Sequence, residues 1–326
     1  MDKENKKLDS RPKVPQVVNK KIENKKLDSR PKVLPIKKII KETENIRTFV
    51  FDYSEFSHLG EKSKPGQFVM MWIPGVDEKP FSIAYDDGKE FWLTIAKVGP
   101  ATSELFKLGV GDLVGVRGPF GTWYEFESGE HLALLAGGYG AAPMYNVACS
   151  ALALGCKVEF IVGARSRELL LYEKRVGELA KKYKKQIFYH AATDDGSYGY
   201  KGYNTELLAQ VLKKKIGLWG KAVGRGAERG VVGKKVGGEK IDRVFACGPE
   251  IMMKKAAEMA VEARVKCQIS LERYMKCGFG VCGQCAMDDS GICVCKNGPV
   301  YDGLAALKLR EFGRYHRDGV GRRVVR

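Results

Sequence analysis

The spacing of hydrophobic positions changes near residue 130, and this change divides the chain into two predicted regions. Between residues 34 and 128, short runs alternate between apolar and polar side chains, and turn pairs such as PG and GD separate them. Evenly spaced short strands are typical of a small antiparallel barrel or sandwich. We therefore predict an antiparallel β-barrel over residues 34–128, with strands at 47–51, 67–73, 91–97 and 112–117.

From residue 129, longer apolar runs alternate with helical patterns. Buried strands are predicted at HLALLAGG, KVEFIVGA, QIFYHAATDDG and IDRVFACGP, and helices at PMYNVACSALALG, ELLLYEKRVGELAKKY and EIMMKKAAEMAVEA. Strands that alternate with helices indicate a parallel α/β sheet, which we place at residues 129–262. The predicted fold class is therefore α+β and multidomain.

Three further segments lack this regularity. Residues 1–33 contain a direct repeat, ENKKLDSRPKV, and no aromatic residue, which predicts a disordered basic tail. Residues 213–240 are rich in glycine and lysine without clear periodicity, which predicts a flexible insertion in the α/β domain. Residues 263–326 combine closely spaced cysteines with a basic C-terminal arm, and we assign them to a small third module.

The net charge of +17 is concentrated in three places. The tail 1–33 carries +6, the insertion 213–240 carries +7 and the arm 304–326 carries +5, so the remaining residues are near neutral. Solvated charge runs explain this distribution better than a nucleic-acid site does, and we predict no nucleic-acid partner.

The sequence contains no run of 18 apolar residues and no apolar signal-peptide segment near its N-terminus. We therefore expect no contact with a membrane. Nine cysteines without a secretory signal fit a reducing compartment, and we expect a cytoplasmic protein.

The cysteines near the C-terminus carry the strongest chemical signal in the chain. Cys277, Cys282 and Cys285 have the spacing C-x4-C-x2-C, and Cys295 follows in VCKNGPV. This spacing is that of a plant-type [2Fe–2S] site. A zinc site would favour paired C-x2-C knuckles, of which only one is present, and a disulfide framework suits smaller secreted chains. We predict one [2Fe–2S] cluster held by these four cysteines.

The fourth ligand has a competitor, because Cys293 lies two residues before Cys295. On a strand, residues two apart share a face, so either sulfur could reach the cluster. We choose Cys295. The cysteines elsewhere in the chain are most simply buried small hydrophobes: Cys149, Cys156, Cys247 and Cys267.

A glycine-rich turn directly follows the first strand of the α/β region. Gly137, Gly138 and Gly140 would let the backbone approach a pyrophosphate, and the following helix would offer free N–H groups. Pro143, where the usual fingerprint has its third glycine, fits the first turn of that helix. We predict dinucleotide binding here, and the alternative is an ordinary turn between strand and helix.

A second motif on the barrel suggests a flavin site. It comprises Lys79, Pro80, Phe81 and Ser82, followed by Thr94, Ile95, Ala96, Ala101 and Thr102. A flavin needs a flat apolar slot, a donor near its reactive nitrogen and donors for its phosphates. Ser82 could donate to the ring system, and Lys79 and Thr102 could meet the pyrophosphate. A simple turn at the entry to a strand would also explain this motif.

Two positions at the ends of predicted parallel strands complete the candidates. Cys247 precedes Gly248 and Pro249 where ligands bind in open α/β sheets, and it could line a contact between nicotinamide and flavin. A buried structural cysteine is the alternative. Asp194 and Asp195 could reach ribose hydroxyls, or could form a polar turn.

Taken together, these pieces resemble the ferredoxin–NADP reductase superfamily, and within it the electron transfer subunits of type B dihydroorotate dehydrogenases. The resemblance rests on PGQFVMMWIPGVDEKPFSI, LGVGDLVGVRGPFG, LLAGGYGAAP, TDDGSYGYKG, ACGPEIMM, SLERYMKCGFGVCGQC and CKNGPVYDG. It implies one FAD in the barrel, at the motif beginning with Lys79, and one cluster on the four cysteines. The family usually has arginine where this chain has Lys79, and lysine lacks the bidentate fork of arginine.

The resemblance also implies partners and a route for electrons. Electrons would pass from a separate FMN-containing catalytic subunit to the cluster, then to FAD and to NAD as the substrate, in pyrimidine biosynthesis. Two subunits of each kind would form a heterotetramer. The related NAD(P)H-ferredoxin oxidoreductase and sulfide dehydrogenase subunits are the alternative. Arg165, Ser166 and Arg167 could pair with a 2′-phosphate, so NADP is an alternative to NAD. A flavin-free iron–sulfur binding protein is a further alternative from a different class.

Overall fold

The computed structural model describes residues 30–53, 62–213, 240–288 and 290–325. Seven strands form the first sheet, which is antiparallel and has the order β1-β7-β4-β5-β6-β3-β2. Their bounds are β1 Lys32–Pro35, β2 Lys38–Lys41, β3 Ile46–Asp52, β4 Phe68–Ile73, β5 Asp77–Asp86, β6 Glu90–Ala96 and β7 Leu113–Phe120, and the short helix α1 (Pro100–Leu105) lies between β6 and β7. The antiparallel sheet predicted from the alternating pattern is confirmed.

One bent segment closes this sheet on itself. β1 pairs with β7, and β2, which follows almost at once, pairs with β3 at the other edge. Between them, the Ile36 N–H donates to the Asp112 carbonyl at 2.9 Å and the Lys37 N–H donates to the Val50 carbonyl at 2.9 Å. Lys32 and Val33 therefore belong to the first sheet, although we assigned them to the tail.

The second sheet contains seven strands in the order β11-β10-β9-β8-β12-β13-β14. Its strands are β8 His131–Gly137, β9 Lys157–Ala164, β10 Ile187–Thr193, β11 Tyr200–Lys201, β12 Arg243–Cys247, β13 Lys266–Ser270 and β14 Val300–Asp302. Its helices are α2 Ala141–Ala153, α3 Glu173–Lys182, α4 Asn204–Leu212 and α5 Glu250–Glu262. The predicted α/β sheet is confirmed, and its strand order reverses between β8 and β12.

The third module is not separate from the second sheet. β13 pairs in parallel with β12, and β14 returns antiparallel to β13 with Ser270 opposite Val300. Residues 271–299 therefore leave the sheet and come back to it at directly opposed positions. This overturns our boundary at residue 262, because the strand at 266–270 extends the α/β sheet rather than opening a new module.

The rest of the C-terminal region consists of short elements. They are the helices α6 (Val294–Asn297) and α7 (Gly303–Leu307) and a hairpin formed by β15 (Tyr315–Arg317) and β16 (Arg323–Val325). Most of the repeat of the predicted tail and nearly all of the predicted insertion lie outside the described residues; of the repeat, only residues 30–33 are described. Among the residues that are described, no helix has the length and apolar character needed to cross a membrane.

Candidate functional site

A cleft of about 240 Å³ lies where the first sheet, the second sheet and the segment after β13 meet. Each of the three regions contributes a part of its wall. The lining residues that the sequence singled out are Pro80, Phe81, Ser82, Thr94, Ile95, Ala96, Thr102, Gly140, Pro143 and Cys247. Predicted flavin residues and predicted dinucleotide residues, distant in the sequence, therefore face one space.

The barrel side of the cleft is formed by β5 and β6. Ser82 lies on β5, and Thr94 lies on β6. The Thr94 hydroxyl is 2.8 Å from the Thr48 hydroxyl and 2.6 Å from the Tyr172 hydroxyl, which follows β9 in the second sheet. These bonds tie the two sheets together directly behind the cleft wall.

Lys79 lies beside the cleft and not among its lining residues. Its Nζ is 2.5 Å from the Asp77 carboxylate and 3.0 Å from the Tyr274 hydroxyl. Burial raises the pKa of Asp77, but hydrogen bonds from Lys79, the Glu78 backbone and Lys276 outweigh it and lower the pKa to about 2. The positive charge of Lys79 is thus already paired within the protein.

Thr102 and Ala101 occupy the short helix α1. The Thr102 hydroxyl donates to the Gly99 carbonyl at 3.1 Å and accepts the backbone N–H groups of Val98 and Gly99 at 3.0 and 3.1 Å. All hydrogen-bonding positions of this hydroxyl are therefore used to begin the helix. Thr102 lines the cleft without a free hydroxyl, and Ala101 is buried outside the cleft lining.

The glycine-rich turn lies where the strand order reverses, at the carboxyl ends of β8 and β12. In open α/β sheets this is the crevice where ligands bind. A Cβ on Gly140 would lie 2.2 Å from the Cys247 carbonyl oxygen, and one on Gly137 would lie 2.6 Å from the Pro249 ring. Packing between the two turns therefore explains both glycines. Gly138 has φ +53° and open space around its Cβ position, so it remains the glycine best placed to approach a ligand.

Cys247 ends β12 and lines the cleft together with Glu272. Burial and the nearby Glu272 carboxylate raise the pKa of Cys247, while a hydrogen bond with Ser270 opposes them. The thiol is therefore neutral in ordinary buffers. Glu272 and Arg273 were not predicted as site residues, although both belong to SLERYM, which ends two residues before Cys277.

The predicted ribose and phosphate contacts lie further along the same sheet edge. Asp194 follows β10 and is exposed, while Asp195 accepts the Ser197 backbone N–H at 2.9 Å and the Ser197 hydroxyl at 2.6 Å. Asp195 thus forms the polar turn that we named as the alternative. Arg165 is exposed after β9, and the Arg167 guanidinium lies 5.0 Å from the centre of the Tyr198 ring.

The four predicted cluster cysteines form two facing pairs. Cys277 is hydrogen-bonded with Cys282, and Cys285 with Cys295 and also with the neighbouring Cys293. Two thiolates for each of two irons is the arrangement that a [2Fe–2S] core requires. No group of three or more His, Cys, Asp or Glu side chains in the described part of the chain is placed around a single metal ion.

Backbone N–H groups point at the sulfurs of this cluster loop, which we define as residues 277–295. Gly280 donates to Cys295 at 3.1 Å, Val281 donates to Cys277 at 3.3 Å and the Cys295 N–H donates to Cys285 at 3.3 Å. Burial raises the pKa of Cys277, but backbone donors outweigh it and lower the pKa to about 6. Donors that favour thiolates are the surroundings that a cluster needs, so the residues present fit the group.

The contacts favour Cys295 over Cys293 as the fourth ligand. The two positions are not related as neighbours on one face of a strand, as the sequence suggested. The segment is a helical turn rather than a strand: α6 begins at Val294 and Cys293 precedes it as the cap. Cys293 and Cys295 therefore do not share a face. Cys295 is buried and accepts the Gly280 N–H, whereas Cys293 is only half-buried: its sulfur is also hydrogen-bonded with Cys285 and lies 4.0 Å from the Gly291 carbonyl.

Aromatic rings connect the cleft wall to the cluster loop. Phe68 lines the cleft, its ring centre lies 5.9 Å from that of Phe120, and Phe120 lies 6.3 Å from Phe279. Gly278 also packs against the first sheet, since a Cβ there would lie 2.7 Å from Met70. The cluster loop is therefore seated directly on the barrel, next to the cleft.

The chain matches two protein families. Residues 134–258 match the family described as "Oxidoreductase NAD-binding domain". Residues 272–305 match the family described as "Iron-sulfur cluster binding domain of dihydroorotate dehydrogenase B". The second match covers Glu272, Arg273 and all four paired cysteines.

Whole-length relatives carry a single name, "Probable dihydroorotate dehydrogenase B (NAD(+)), electron transfer subunit". The protein of Methanocaldococcus jannaschii is 41% identical over 89% of this chain and 96% of its own length. That of Methanocella arvoryzae is 41% identical over 88% of this chain and 96% of its own. That of Pyrococcus horikoshii is 39% identical over 88% and 96%.

Solved structures confirm a fold like that of ferredoxin–NADP reductase. A chain from a study titled "Insights into flavin-based electron bifurcation via the NADH-dependent reduced ferredoxin-NADP oxidoreductase structure" has a TM-score of 0.65 and 25% identity, over 83% of this chain and 88% of that one. A ferredoxin NADP+ reductase from Neisseria gonorrhoeae, solved with FAD and NADP, has a TM-score of 0.54 and 17% identity, over 71% of this chain and 90% of that one.

Proposed function

This chain belongs to the electron transfer subunits of NAD-dependent dihydroorotate dehydrogenase B, and from that premise we propose that it links a one-electron centre to NAD+ through a flavin. It is an oxidoreductase subunit with an iron–sulfur binding domain and an NAD-binding domain. Such a subunit implies a catalytic partner.

The shared lining of the cleft is the main support for this proposal. The cleft is lined jointly by the barrel, by the turn after β8, by Cys247 at the end of β12, and by residues 270–273 and Met275, which lies two residues before Cys277. A nicotinamide exchanges electrons as hydride, and a [2Fe–2S] cluster accepts one electron at a time. A flavin can do both, so it has to lie between them. The cleft is the place in the described structure that adjoins both sites.

We assign the FAD ring to the wall formed by Phe81, Ser82 and Thr94. This wall offers apolar surface with hydroxyl groups, which suits a flat ring with polar edges. Lys79 would reach the flavin phosphates only by giving up its bond with Asp77. FAD binding should therefore strengthen when Asp77 is replaced, which distinguishes this role from a purely structural pair.

We assign NAD to the edge of the second sheet. Gly140 and the first turn of α2 line the cleft beside Cys247, where the nicotinamide has to approach the flavin, and Gly138 precedes them with open space at its Cβ position. Asp194 is exposed at the end of β10, where a ribose hydroxyl can be bound. Arg165 and Arg167 stand nearby, and a comparison of NADH with NADPH tests whether they select a 2′-phosphate.

The partner proposed here is an FMN-containing catalytic subunit, in a heterotetramer of two subunits of each kind. The cluster loop presents Cys282 and Val281, which is 77% exposed, at the surface. A cluster near the surface can receive electrons from a subunit that docks over it. The conversion of dihydroorotate to orotate releases two electrons and two protons, and NAD+ takes both electrons and one proton.

The decisive experiment is co-expression of this chain with the candidate catalytic subunit. Co-purification, a flavin spectrum with cluster bands, and orotate formation coupled to NAD+ reduction are the expected results. A chain that co-purifies but contains no flavin, or that supports no NAD+ reduction, would refute the proposal. A cluster spectrum without flavin would instead indicate a simple iron–sulfur binding protein.

The similarity to the ferredoxin-NADP oxidoreductase chain supports one second candidate. In that role the chain would exchange electrons with ferredoxin rather than with a dihydroorotate-oxidising subunit. Related subunits of that kind often lack the first cysteine, whereas Cys277 is present here. NADPH-dependent reduction of ferredoxin without orotate formation would favour this second candidate.

A further inference from the structure

Arg273 is a buried cation that the assignments above do not use. Its side chain is only 3% exposed, yet it lines the cleft. Its Nη1 donates to the Glu272 carbonyl at 2.6 Å and to the Glu250 carboxylate. Its Nε and Nη2 have no hydrogen-bond partner in the described structure.

Unpaired buried N–H groups are costly, at roughly 1–3 kcal/mol each, and native proteins seldom leave them without a purpose. Two carboxylates hold this cation in place. Glu250 is bonded to Arg273 and accepts the Gly313 N–H at 2.8 Å, while Glu311 lies 3.8 Å from the Arg273 Nε. Both carboxylates are almost fully buried, so Arg273 cannot turn away to solvent without leaving them unpaired.

We propose that Arg273 donates from Nη2 to the electron-rich pyrimidine edge of the flavin and thereby sets its reduction potential. The inference rests on the proposed FAD site. The neighbours of Arg273 on this wall include Leu271 and Met275, which provide apolar surface for a ring rather than donors for a pyrophosphate. A guanidinium is a strong donor to carbonyl and anionic oxygens, and it stays charged when buried.

The expected effect follows from charge. Hydride transfer from NADH to FAD leaves NAD+ and adds two electrons and one proton to the flavin, whose pyrimidine edge then carries one negative charge. A cation near that edge stabilises the reduced form and raises the potential. The negative charge of Glu250 partly cancels the positive charge of Arg273 and so lowers the reduction potential of the flavin. Arg273 and Glu250 therefore act in opposite directions on one measurable quantity.

The test is the midpoint potential of bound FAD, measured by dye equilibration in the whole subunit. In Arg273→Gln, the ratio of reduced to oxidised FAD at a fixed potential should fall about tenfold, which is about 30 mV for a two-electron couple. In Glu250→Gln, the same ratio should rise. Arg243→Gln is the matched control, because Arg243 is a largely buried arginine paired with Glu130 at the opposite end of β12. The midpoint potential of the flavin should stay unchanged in this variant.

Opposite shifts in Arg273→Gln and Glu250→Gln support the inference. Unchanged potentials, or shifts of the same sign, overturn it, as does a loss of NADH affinity at constant potential. If Arg273→Gln fails to fold or to retain FAD, the Glu250→Gln potential decides alone: a rise supports the inference and any other result refutes it. A wild-type chain that binds no FAD would instead refute the proposed function itself.

Discussion

The cleft and the cluster loop lie side by side but are built in different ways. Most of the cleft wall is formed by paired strands and the turns at their ends, and the residues behind it, such as Leu134 and Phe245, are fully buried. The cluster loop has little regular structure, and Gly278, Gly280 and Gly283 all have positive φ. Its sulfurs are oriented by backbone N–H groups within the loop.

This difference indicates where each site gets its stability. The cleft is maintained by the cores of two sheets and should persist without any bound group. The cluster loop buries apolar side chains such as Met287, Ile292 and Val294, but its ligand sulfurs lie together, and thiolates repel one another without a metal. The order of the loop should therefore depend on the metal centre that it binds. The two sites should therefore lose function independently of each other. Point mutations that damage one site should leave the other intact.

Loss of a cluster ligand should disable the loop and leave the cleft intact. In Cys285→Ser, cluster iron should be lost and electron flow from the catalytic subunit should fall by more than about 100-fold. Bound flavin and NADH oxidation by a two-electron dye should remain within about twofold of wild type. Cys293→Ser is the matched control and should retain its iron. Loss of flavin in Cys285→Ser would show that the two sites are not separable.

A methyl group in the packed turn should damage the cleft and spare the loop. In Gly140→Ala the new Cβ would lie 2.2 Å from the Cys247 carbonyl oxygen, and we expect a loss of about 3 kcal/mol of unfolding free energy. Gly177→Ala is the control, because nothing lies within 4 Å of that position on α3. It should stabilise the protein by about 0.5–1 kcal/mol. Denaturant titration would measure both, and equal midpoints would contradict the packing argument.

The interior strand β9 of the second sheet contains a largely buried acid, Glu159. Glu159 lies 3.1 Å from His131 and 2.6 Å from His190, on the neighbouring strands. Burial raises the pKa of Glu159, but its bonds to the two histidines outweigh it and lower the pKa to about 2. Because the folded pKa lies below the unfolded value, this stabilisation is present above about pH 4.5 and disappears as the pH falls towards 2.

Glu159→Gln should therefore cost about 2 kcal/mol of unfolding free energy at pH 7 and progressively less below pH 4. Unfolding free energies at pH 7 and pH 3 measure this convergence. Glu178→Gln, at an exposed position on α3, should show the same pH dependence as wild type. A constant difference between Glu159→Gln and wild type across this range would contradict the assigned cause.

The smallest expected effect concerns the hairpin that supports the cluster loop. Asp288 accepts the Tyr315 hydroxyl at 2.8 Å and the Arg317 Nε at 2.8 Å, which connects the loop to the hairpin. Asp288→Asn should weaken this connection by about 1 kcal/mol and make the cluster bleach several times faster in air. The decay of the cluster absorbance in air measures the bleaching rate. Asp302→Asn, at the N-cap of α7, is the control. Equal decay rates would show that the hairpin does not support the loop.

The sequence predicted the chemistry of the cluster loop better than its structure. The C-x4-C-x2-C spacing is a local property, so the four cysteines could be chosen without knowing the fold. The helical turn at α6 was missed because VCKN is too short for any periodicity to show. The pairing of Cys277 with Cys282 and of Cys285 with Cys295 depends on the loop path, which the spacing alone does not determine.

The cleft shows the opposite limitation. The elements β8, β9 and β12 were evident from their apolar runs, and the turn glycines were found in their correct context. The need for glycine at position 140 was not predicted, because the Cys247 carbonyl against which Gly140 packs lies far away in the chain. Arg273 was missed for a similar reason: a charged side chain next to a cysteine motif suggests an exposed position until its buried partners Glu250 and Glu311 are known.

The detour taken by residues 271–299 between two adjacent strands has a consequence for how such proteins diversify. Because Ser270 and Val300 face each other across one rung of the sheet, a different detour can be inserted without breaking the pairing of β13 with β14. The same stretch, however, supplies both a wall of the cleft and the metal ligands. Recombination at this point would exchange both redox environments at once, so the two potentials are inherited as a matched set.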